Sequence, residues 1–480
     1  MAWKGNLNME WRLNLEKAAS AVSGSLINAD KDELVKSVIT DSRKAEEGAV
    51  FVALRGEHSD GHEYVEKAIS NGAVCAIVEK GRLSDKNIPL IEVENTLRAL
   101  GDLAAAYRSE FSLPCVAVTG SVGKTSTRDM IHSVLSEKYN TLKTSKNYNN
   151  EIGLPLTVFG LNSEHEMMVL EMGMSGFGEI SRLAEIAKPE TAVITNIGLA
   201  HIEKLGSREN ILKAKLEIIE GMNDDGAVIL NGDDPLLWKL SGMLPYETLY
   251  YGIENKACDL IAEDIKKYSS STEFKVKIDG EEYKFETGVP GGHHVYNALA
   301  AILIGIRYSV PIKSIAEGVK KFVPDGLRQN IISLKDYVII KDCYNASPDS
   351  MKSGIEVLEA TLANKRERKY KRTAVLGDML ELGDISEEEH RKIGALVAKH
   401  NVDRLITVGK MAEFIAKGAI EEGFSASDTF SFPDNESVIK NIYSIIKPGD
   451  IILFKGSRGM KLEEIADYLA QTNGIAGEDE

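Results

Sequence analysis

The sequence predicts an α/β protein of three domains with a mostly parallel sheet at its centre. Three observations predict it. The chain has 480 residues, enough for about three domains of ordinary size. Short apolar runs that end in Gly or polar residues alternate with helical patterns, the signature of a parallel sheet covered on both faces. One such run, "VAVTGSVGKTSTRDM" (116–130), stops at a Gly-rich turn and passes straight into a helical pattern.

The elements follow in chain order. Residues 1–95 read as mixed α/β, with strands in "GAVFVALRG" (48–56) and "AVCAIVE" (73–79) around a helix in "EYVEKAISNG" (63–72). "TLRALGDLAAAYRSEF" (96–111) is helical and leads to the strand Val116–Val118, too apolar to be half exposed. "MMVLEMG" (167–173), "TAVITNIG" (191–198) and "GAVILNGDD" (226–234) are further strands, and "ENILKAKLEIIEG" (209–221) and "HHVYNALAAILIG" (293–305) are helices. "EFKVKIDGEEYKFET" (273–287) is instead an antiparallel hairpin turning at Asp279-Gly280. Beyond residue 326 the strands are "YVIIKDCYN" (337–345), "RTAVLGD" (372–378), "RLITVGK" (404–410) and "DIILFKGSR" (450–458). "ANKRERKYKR" (363–372) reads as a solvated helix end or loop, and "TNGIAGEDE" as a frayed tail.

The Gly-rich turn carries the clearest chemistry. Gly120 and Gly123 allow a tight turn with bare backbone N–H groups. A helix start adds its positive dipole end, Lys124 a full charge, and Thr125 a hydroxyl able to ligate Mg²⁺. The generic phosphate loop G-x-x-x-x-G-K-[ST] is missed by two residues, because only Ser121 and Val122 separate the glycines. Glu171 and His201 each follow a strand end. Alone they read as ordinary polar residues, and only beside the loop does Glu171 become a natural Mg²⁺ ligand. Lys213 and Lys215 read in isolation as solvated lysines. Asn297 could cap its helix or read a purine edge, Arg328 suits a phosphate, and Asp342 ends a strand.

Bulk properties exclude several classes. Net charge is −16, which disfavours a general nucleic-acid binder. No apolar run approaches the ~20 residues of a membrane span, and the N-terminus lacks a signal-type apolar core. Cys75, Cys115, Cys258 and Cys343 lie far apart, which argues for a reducing cytoplasm and against a disulfide or zinc framework.

The motifs T-G-S-V-G-K-T, "NYNNEIGLPLT" (147–157), "LEMGMSGFGEI" (170–180), "NIGLAHIEKLGS" (196–207), "KAKLEI" (213–218), "YNALAA" (296–301), "DCYNASPDSM" (342–351) and "LGDMLELG" (376–383) appear in one order. In that order they resemble the Mur ligase superfamily, whose compact phosphate loop accounts for the two missing residues. "TDSRK" (40–44) with "FVALRGEHSDGH" (51–62) resembles its N-terminal uridine-nucleotide domain. "YNASPDSM" and "GDMLELG" are most similar to the branch that adds D-alanyl-D-alanine. The resemblance implies a UDP-substrate domain (1–95), a central ATP-binding domain (96–325) and a C-terminal Rossmann-like ligase domain (326–480). It implies ATP-dependent ligation of D-Ala-D-Ala to UDP-N-acetylmuramoyl-tripeptide by a monomeric cytoplasmic enzyme that takes up no nucleic acid. A diamino-acid-adding ligase is the alternative, though its usual Asp-Asn-Pro-Arg motif is absent.

By similarity, Gly120, Ser121, Val122, Gly123 and Lys124 hold ATP phosphates, with Asn297 on adenine, Arg328 on a phosphate and Asp342 on the ribose. Thr125 and Glu171 ligate one Mg²⁺ and His201 a second. Lys215, rather than Lys213, matches the lysine carbamylated with CO₂. Asn149 and Asn150 position substrate, Ser42 and Arg43 contact the uridine nucleotide, and Asn345, Asp378, Lys455, Ser457 and Arg458 line the dipeptide site. Sites on three domains imply closure about their linkers.

Overall fold

A computed structural model describes residues 13–56, 59–83, 87–324, 326–361 and 370–474. Most of the charged 363–372 segment and most of the tail lie outside the described residues.

Four sheets carry the described residues. The N-terminal sheet runs Ser25–Ile27, Leu90–Val93, Ala73–Glu79, Ala49–Val52, Ser37–Ile39, parallel except for its first pair. The strands Ala49–Val52 and Leu90–Val93 are buried at every position, and Ala49–Val52 accordingly reads as an unbroken apolar run rather than an alternating one.

The central sheet is fully parallel. Its order is Leu260–Ile261, Glu247–Gly252, Ala227–Asn231, Thr191–Ile194, Cys115–Thr119, Met167–Glu171, Thr141–Lys143. One face (Val116, Val118, Val169, Val193) packs on helices Lys124–Leu135 and His293–Arg307. The other (Ala117, Leu170, Ile194, Leu230) shares an apolar cluster with Val50 and Ile77 of the N-terminal sheet. Helix Thr96–Ser109 joins the two units. Asn95 caps it by accepting from Arg98 N, and its buried Arg108 donates to the carbonyls of Ala187, Phe111 and Leu113.

The hairpin is present as Thr272–Ile278 and Glu281–Thr287, with Asp279 and Gly280 both at positive φ (52° and 83°), the two-residue turn whose twist matches the strands. A third strand, Glu263–Lys267, pairs on its edge. Its "EDIKK" is almost wholly solvent-facing, so no apolar pattern marks it in the sequence. The C-terminal sheet runs Asn330–Ser333, Val338–Asp342, Ile451–Lys455, Arg372–Gly377, Arg404–Val408, Thr429–Phe432, parallel apart from the first pair. Helices cover both faces, and Leu199 and Ile202 of the central unit pack against one of these layers. The four cysteines are free and buried.

Helices Ser386–Lys399 and Glu413–Glu421 cross in backbone contact. A Cβ on Gly394 would sit 2.0 Å from Ile415 O and 2.5 Å from Ala419 N, atoms that cannot swing away. Gly394→Ala is therefore expected to lower stability by about 1–3 kcal/mol through overpacking. A urea midpoint equal to that of the parent protein would show that the helices separate freely.

Candidate active site

The strand Cys115–Thr119 lies between Met167–Glu171 and Thr191–Ile194, so the chain departs to opposite sides of it. Ligands of open α/β sheets bind in such a crevice, beyond the carboxyl ends of the strands. The Gly-rich turn occupies it. Gly120 has φ +150°, and a Cβ there would meet Thr195 Oγ1 at 1.9 Å. The turn is laced to the neighbouring strand end. Val122 N donates to Asn196 Oδ1 (2.9 Å), and Val122 O accepts from Thr195 Oγ1 (2.6 Å) and Asn196 Nδ2 (3.1 Å). Thr195 and Asn196 were invisible as functional residues in the sequence. They sit inside a quoted motif, but only the spatial neighbourhood of the turn gives them a task.

Two lysines converge on the turn from inside. Lys124 Nζ donates to Gly120 O at 2.7 Å, and Lys215 Nζ reaches the same oxygen at 2.9 Å. Lys215 is 1% exposed, and among the described residues no acidic side chain pairs with it. Burial first, and then the Lys124 charge, hold its amine well below the usual lysine range. Burial likewise lowers Lys124. Lys213 is exposed, so the structure separates the two lysines that the sequence left side by side.

Glu171, 2% exposed, accepts from Thr125 Oγ1 at 2.8 Å and Asn149 Nδ2 at 2.7 Å. Arg128 also donates to it, at 3.1 Å. Arg128 went unmarked in the sequence, although it lies one helical turn beyond Lys124. Asn150 caps the following helix by accepting from Gly153 N. His201 stands at φ +65° after the neighbouring strand, with Nδ1 2.6 Å from Glu381 Oε2 of the C-terminal unit. That histidine holds the Glu381 carboxyl below its ordinary range.

The C-terminal unit supplies the facing wall. Val338–Asp342 and Ile451–Lys455 are neighbours in register, Asp342 opposite Lys455, and the two side chains form a buried ion pair at 2.6 Å. Arg328 lies 3.8 Å from the Tyr344 ring centroid, and its buried Nε has no protein partner. Ser121 Oγ is likewise buried and unpartnered. Asn297 has both ends of its amide engaged, Oδ1 by Thr127 Oγ1 (2.9 Å) and Nδ2 by His294 (3.3 Å).

These walls enclose one cavity of about 1280 Å³, lined by Ser121, Val122, Gly123, Lys124, Thr125, Asn149, Asn150, Glu171, His201, Asn297, Arg328, Asp342, Asn345 and Lys455. Gly120 and Lys215 lie behind the turn, tied to it through the shared carbonyl. A side pocket of about 170 Å³ shares His201 and Asn345 with it and adds Glu381, Ser457 and Arg458. Asp378 lines neither. Its carboxylate accepts from Ala412 N at 2.7 Å and so anchors the start of helix Glu413–Glu421. Ser42 and Arg43 stand in the N-terminal unit outside both cavities, Arg43 paired to Asp41 at 2.8 Å. No three His, Cys, Asp or Glu side chains among the described residues form a metal cage. A hydroxyl and one carboxylate, from Thr125 and Glu171, are the oxygen donors that stand together beside the turn.

Comparison with known proteins matches three family models: Mur ligase family, catalytic domain, at residues 34–108; Mur ligase middle domain at 118–305; and Mur ligase, glutamate ligase domain, at 327–458. A UDP-N-acetylmuramoyl-tripeptide–D-alanyl-D-alanine ligase of Bacillus subtilis (strain 168) is 40% identical over 461 residues, 95% of this chain and 98% of its own. A crystal structure of MurF from Acinetobacter baumannii superposes with a TM-score of 0.86 at 30% identity, covering 95% of this chain and 98% of that one. The MurF ligase of Thermotoga maritima, solved in complex with ADP, gives 0.79 at 30% identity over 92% and 99%.

The depressed Lys215 amine has a thermodynamic consequence. Above its folded pKa and below the usual value of 10.5, the unfolded chain binds a proton that the folded chain does not, so this site makes stability rise with pH. Lys215→Met should accordingly be more stable than the parent at pH 7, with an advantage that shrinks towards pH 10. Urea unfolding in CO₂-free buffer measures it, and an advantage independent of pH would contradict a neutral buried amine.

Proposed function

The chain belongs to the Mur ligase family, and from that membership we propose that it joins D-alanyl-D-alanine to UDP-N-acetylmuramoyl-tripeptide, converting ATP to ADP and phosphate in peptidoglycan precursor synthesis. The observation that carries this reading is a single cavity walled by both the phosphate turn and the C-terminal strand ends, in a chain 40% identical along nearly its whole length to a ligase of that name. Among the described residues no helix is long and apolar enough to cross a membrane.

The residues present suit a nucleotide. Lys124 and the turn amides are an anion site without a competing carboxylate, and Ser121 Oγ and Arg328 Nε are buried donors awaiting an acceptor. In our reading Gly120–Lys124 hold the β- and γ-phosphates, Arg328 a phosphate and Asp342 the ribose. Asn297 acts chiefly from behind, since its amide is already spoken for by Thr127 and His294. Mg²⁺ held by Thr125 and Glu171, with a second ion at His201 and a carbamylated Lys215, would neutralise phosphate charge when bound. Lys215 suits that modification because only a neutral amine adds to CO₂. The carbamate is an anion, so forming it would set an opposite charge beside Lys124.

The chemistry divides into two displacements. A carboxylate is a poor electrophile towards an amine, so the tripeptide's terminal carboxylate oxygen first attacks the γ-phosphorus and the bond to the ADP oxygen breaks. The dipeptide amine then attacks the resulting acyl phosphate, and the tetrahedral intermediate expels phosphate to leave the amide. The protein's share is positioning and charge stabilisation. Ser42 and Arg43 would anchor the uridine nucleotide, Asn149 and Asn150 would position the acyl donor, and the side pocket with Asn345, Ser457 and Arg458 would receive the dipeptide. Lys455 acts through its ion pair with Asp342 rather than as a free cation. His201 borders both cavities and touches Glu381. That contact supports closure of the C-terminal unit over the acyl phosphate, excluding water.

Phosphate release from ATP with UDP-N-acetylmuramoyl-tripeptide should require D-Ala-D-Ala. Release driven by a diamino acid or glutamate instead would replace this reading with that of a sibling ligase. Lys124→Ala should abolish turnover yet leave calorimetric binding of the UDP-substrate intact, and joint loss of both would refute separate sites. Activity of Lys215→Ala should return in part with short-chain carboxylates, and a folded variant that none of them rescues would leave the carbamate unsupported.

A further inference from the structure

Helix Lys124–Leu135 carries a second basic residue into the interior, and nothing in the phosphate-turn motif gives it a task. Arg128 is 2% exposed. Its guanidinium is held on three sides. Nε and Nη2 meet both oxygens of Asp129 at 2.8–3.1 Å. Nη1 donates to Lys146 O at 3.0 Å and to Glu171 Oε2 at 3.1 Å. Lys143 closes the cluster on Asp129 at 2.8 Å.

We propose that Arg128 is a positioning residue for Mg²⁺-dependent nucleotide binding, acting through the orientation of Glu171. The inference rests on the nucleotide reading above, though not on the identity of the amine acceptor. Arg128 is not itself a phosphate ligand. Its fork is already divided between two carboxylates and a carbonyl, and it is absent from the cavity wall. What it controls is the carboxylate. Thr125 and Arg128 fix Oε2 of Glu171, and Asn149 fixes Oε1. Together the three donors hold the carboxylate group in one plane beside the Thr125 hydroxyl. Asn149 and Thr125 are neutral, and both would face substrate or metal. Arg128 alone ties Glu171 to Asp129 and Lys146 O, which lie outside the cavity wall. A guanidinium suits the position because only a planar fork spans Asp129, Lys146 O and Glu171 together, whereas an ammonium supplies charge without that span.

The competing role is a plain structural tie between helix and strand, and metal linkage separates the two. ADP is titrated calorimetrically into the full-length protein, once with Mg²⁺ and once in EDTA, for the parent, Arg128→Gln, Arg128→Lys and Asp129→Asn. Partners of metal-binding side chains typically contribute ten- to a hundredfold in affinity. The Mg²⁺-dependent gain in ADP affinity should accordingly fall by about tenfold or more in Arg128→Gln, with metal-free ADP affinity unchanged. Arg128→Lys should recover part of the gain, and Asp129→Asn, which frees the far end of the guanidinium, should lose part of it. An unchanged or larger Mg²⁺ gain in Arg128→Gln overturns the proposal, as does equal loss with and without Mg²⁺. Binding of the UDP-substrate reports folding independently. Should Arg128→Gln fail to fold, the same Mg²⁺ gain in Arg128→Lys and Asp129→Asn as in the parent overturns it equally. Absence of D-Ala-D-Ala-dependent turnover would bear on the acceptor and leave this linkage measurable.

Discussion

Two lysine side chains point at one carbonyl oxygen, and the middle of the molecule is arranged around that crowding. Lys124 and Lys215 both donate to Gly120 O in a chain of net charge −16. The surrounding field opposes a polyanion, so the grip has to be local. A buried cation without a carboxylate is expensive in free energy unless it surrenders its proton or meets an anion. Burial and the neighbouring Lys124 charge push Lys215 towards the first, and an anion at the turn would provide the second for Lys124. The residues around the turn keep acidic groups off it. Glu171 is held by Thr125, Asn149 and Arg128 instead of reaching for either lysine.

Sheet topology turns this local demand into a site that spans the molecule. The phosphate turn leaves the central sheet between two neighbours whose own ends bring Glu171 and the Thr195–His201 segment to its flanks. The C-terminal sheet presents Asp342 and Lys455 from adjacent strands in register. Strand ends of two sheets thus face one another across the cavity. The close approaches between them are specific. His201 meets Glu381, and a Cβ on Gly198 would come within 2.4 Å of Asp349 Oδ2. Glycine at 198 therefore lets the C-terminal unit approach this closely.

Parallel strands buried on both faces were legible because nothing polar interrupts them. Cys115–Thr119, Ala73–Glu79 and Ile451–Lys455 could be read almost to the residue. Glu263–Lys267 could not, since an edge strand with charged faces has no periodic signal. The phosphate turn was legible because Gly, Lys and Thr do their work within one short stretch. Arg128, Thr195, Asn196 and Glu381 were not, because each acts on a residue brought near only by folding. Asp378 shows a second, structural use of such a position. A carboxylate at a strand end beside Gly-rich sequence looks like a ligand, yet the same placement suits it to bind the backbone N–H that opens the next helix.

The same distinction explains why the acceptor side is the less explicit half of the site. Triphosphate recognition uses backbone amides and fixed cations, so its residues cluster in sequence and announce themselves. A small zwitterionic dipeptide needs one donor, one acceptor and a wall at the right distances, and any sheet end can provide them. Here the side pocket is lined by Asn345 from one strand end and by Ser457 and Arg458 from another, which meet only in the folded chain. Arg458 is moreover engaged by Glu463, so its charge is partly spent before a carboxylate arrives. His201 lines both cavities while standing on the central unit and touching the C-terminal one through Glu381. A wall shared by the two cavities at His201 is therefore the feature of this site that joins its central and C-terminal halves.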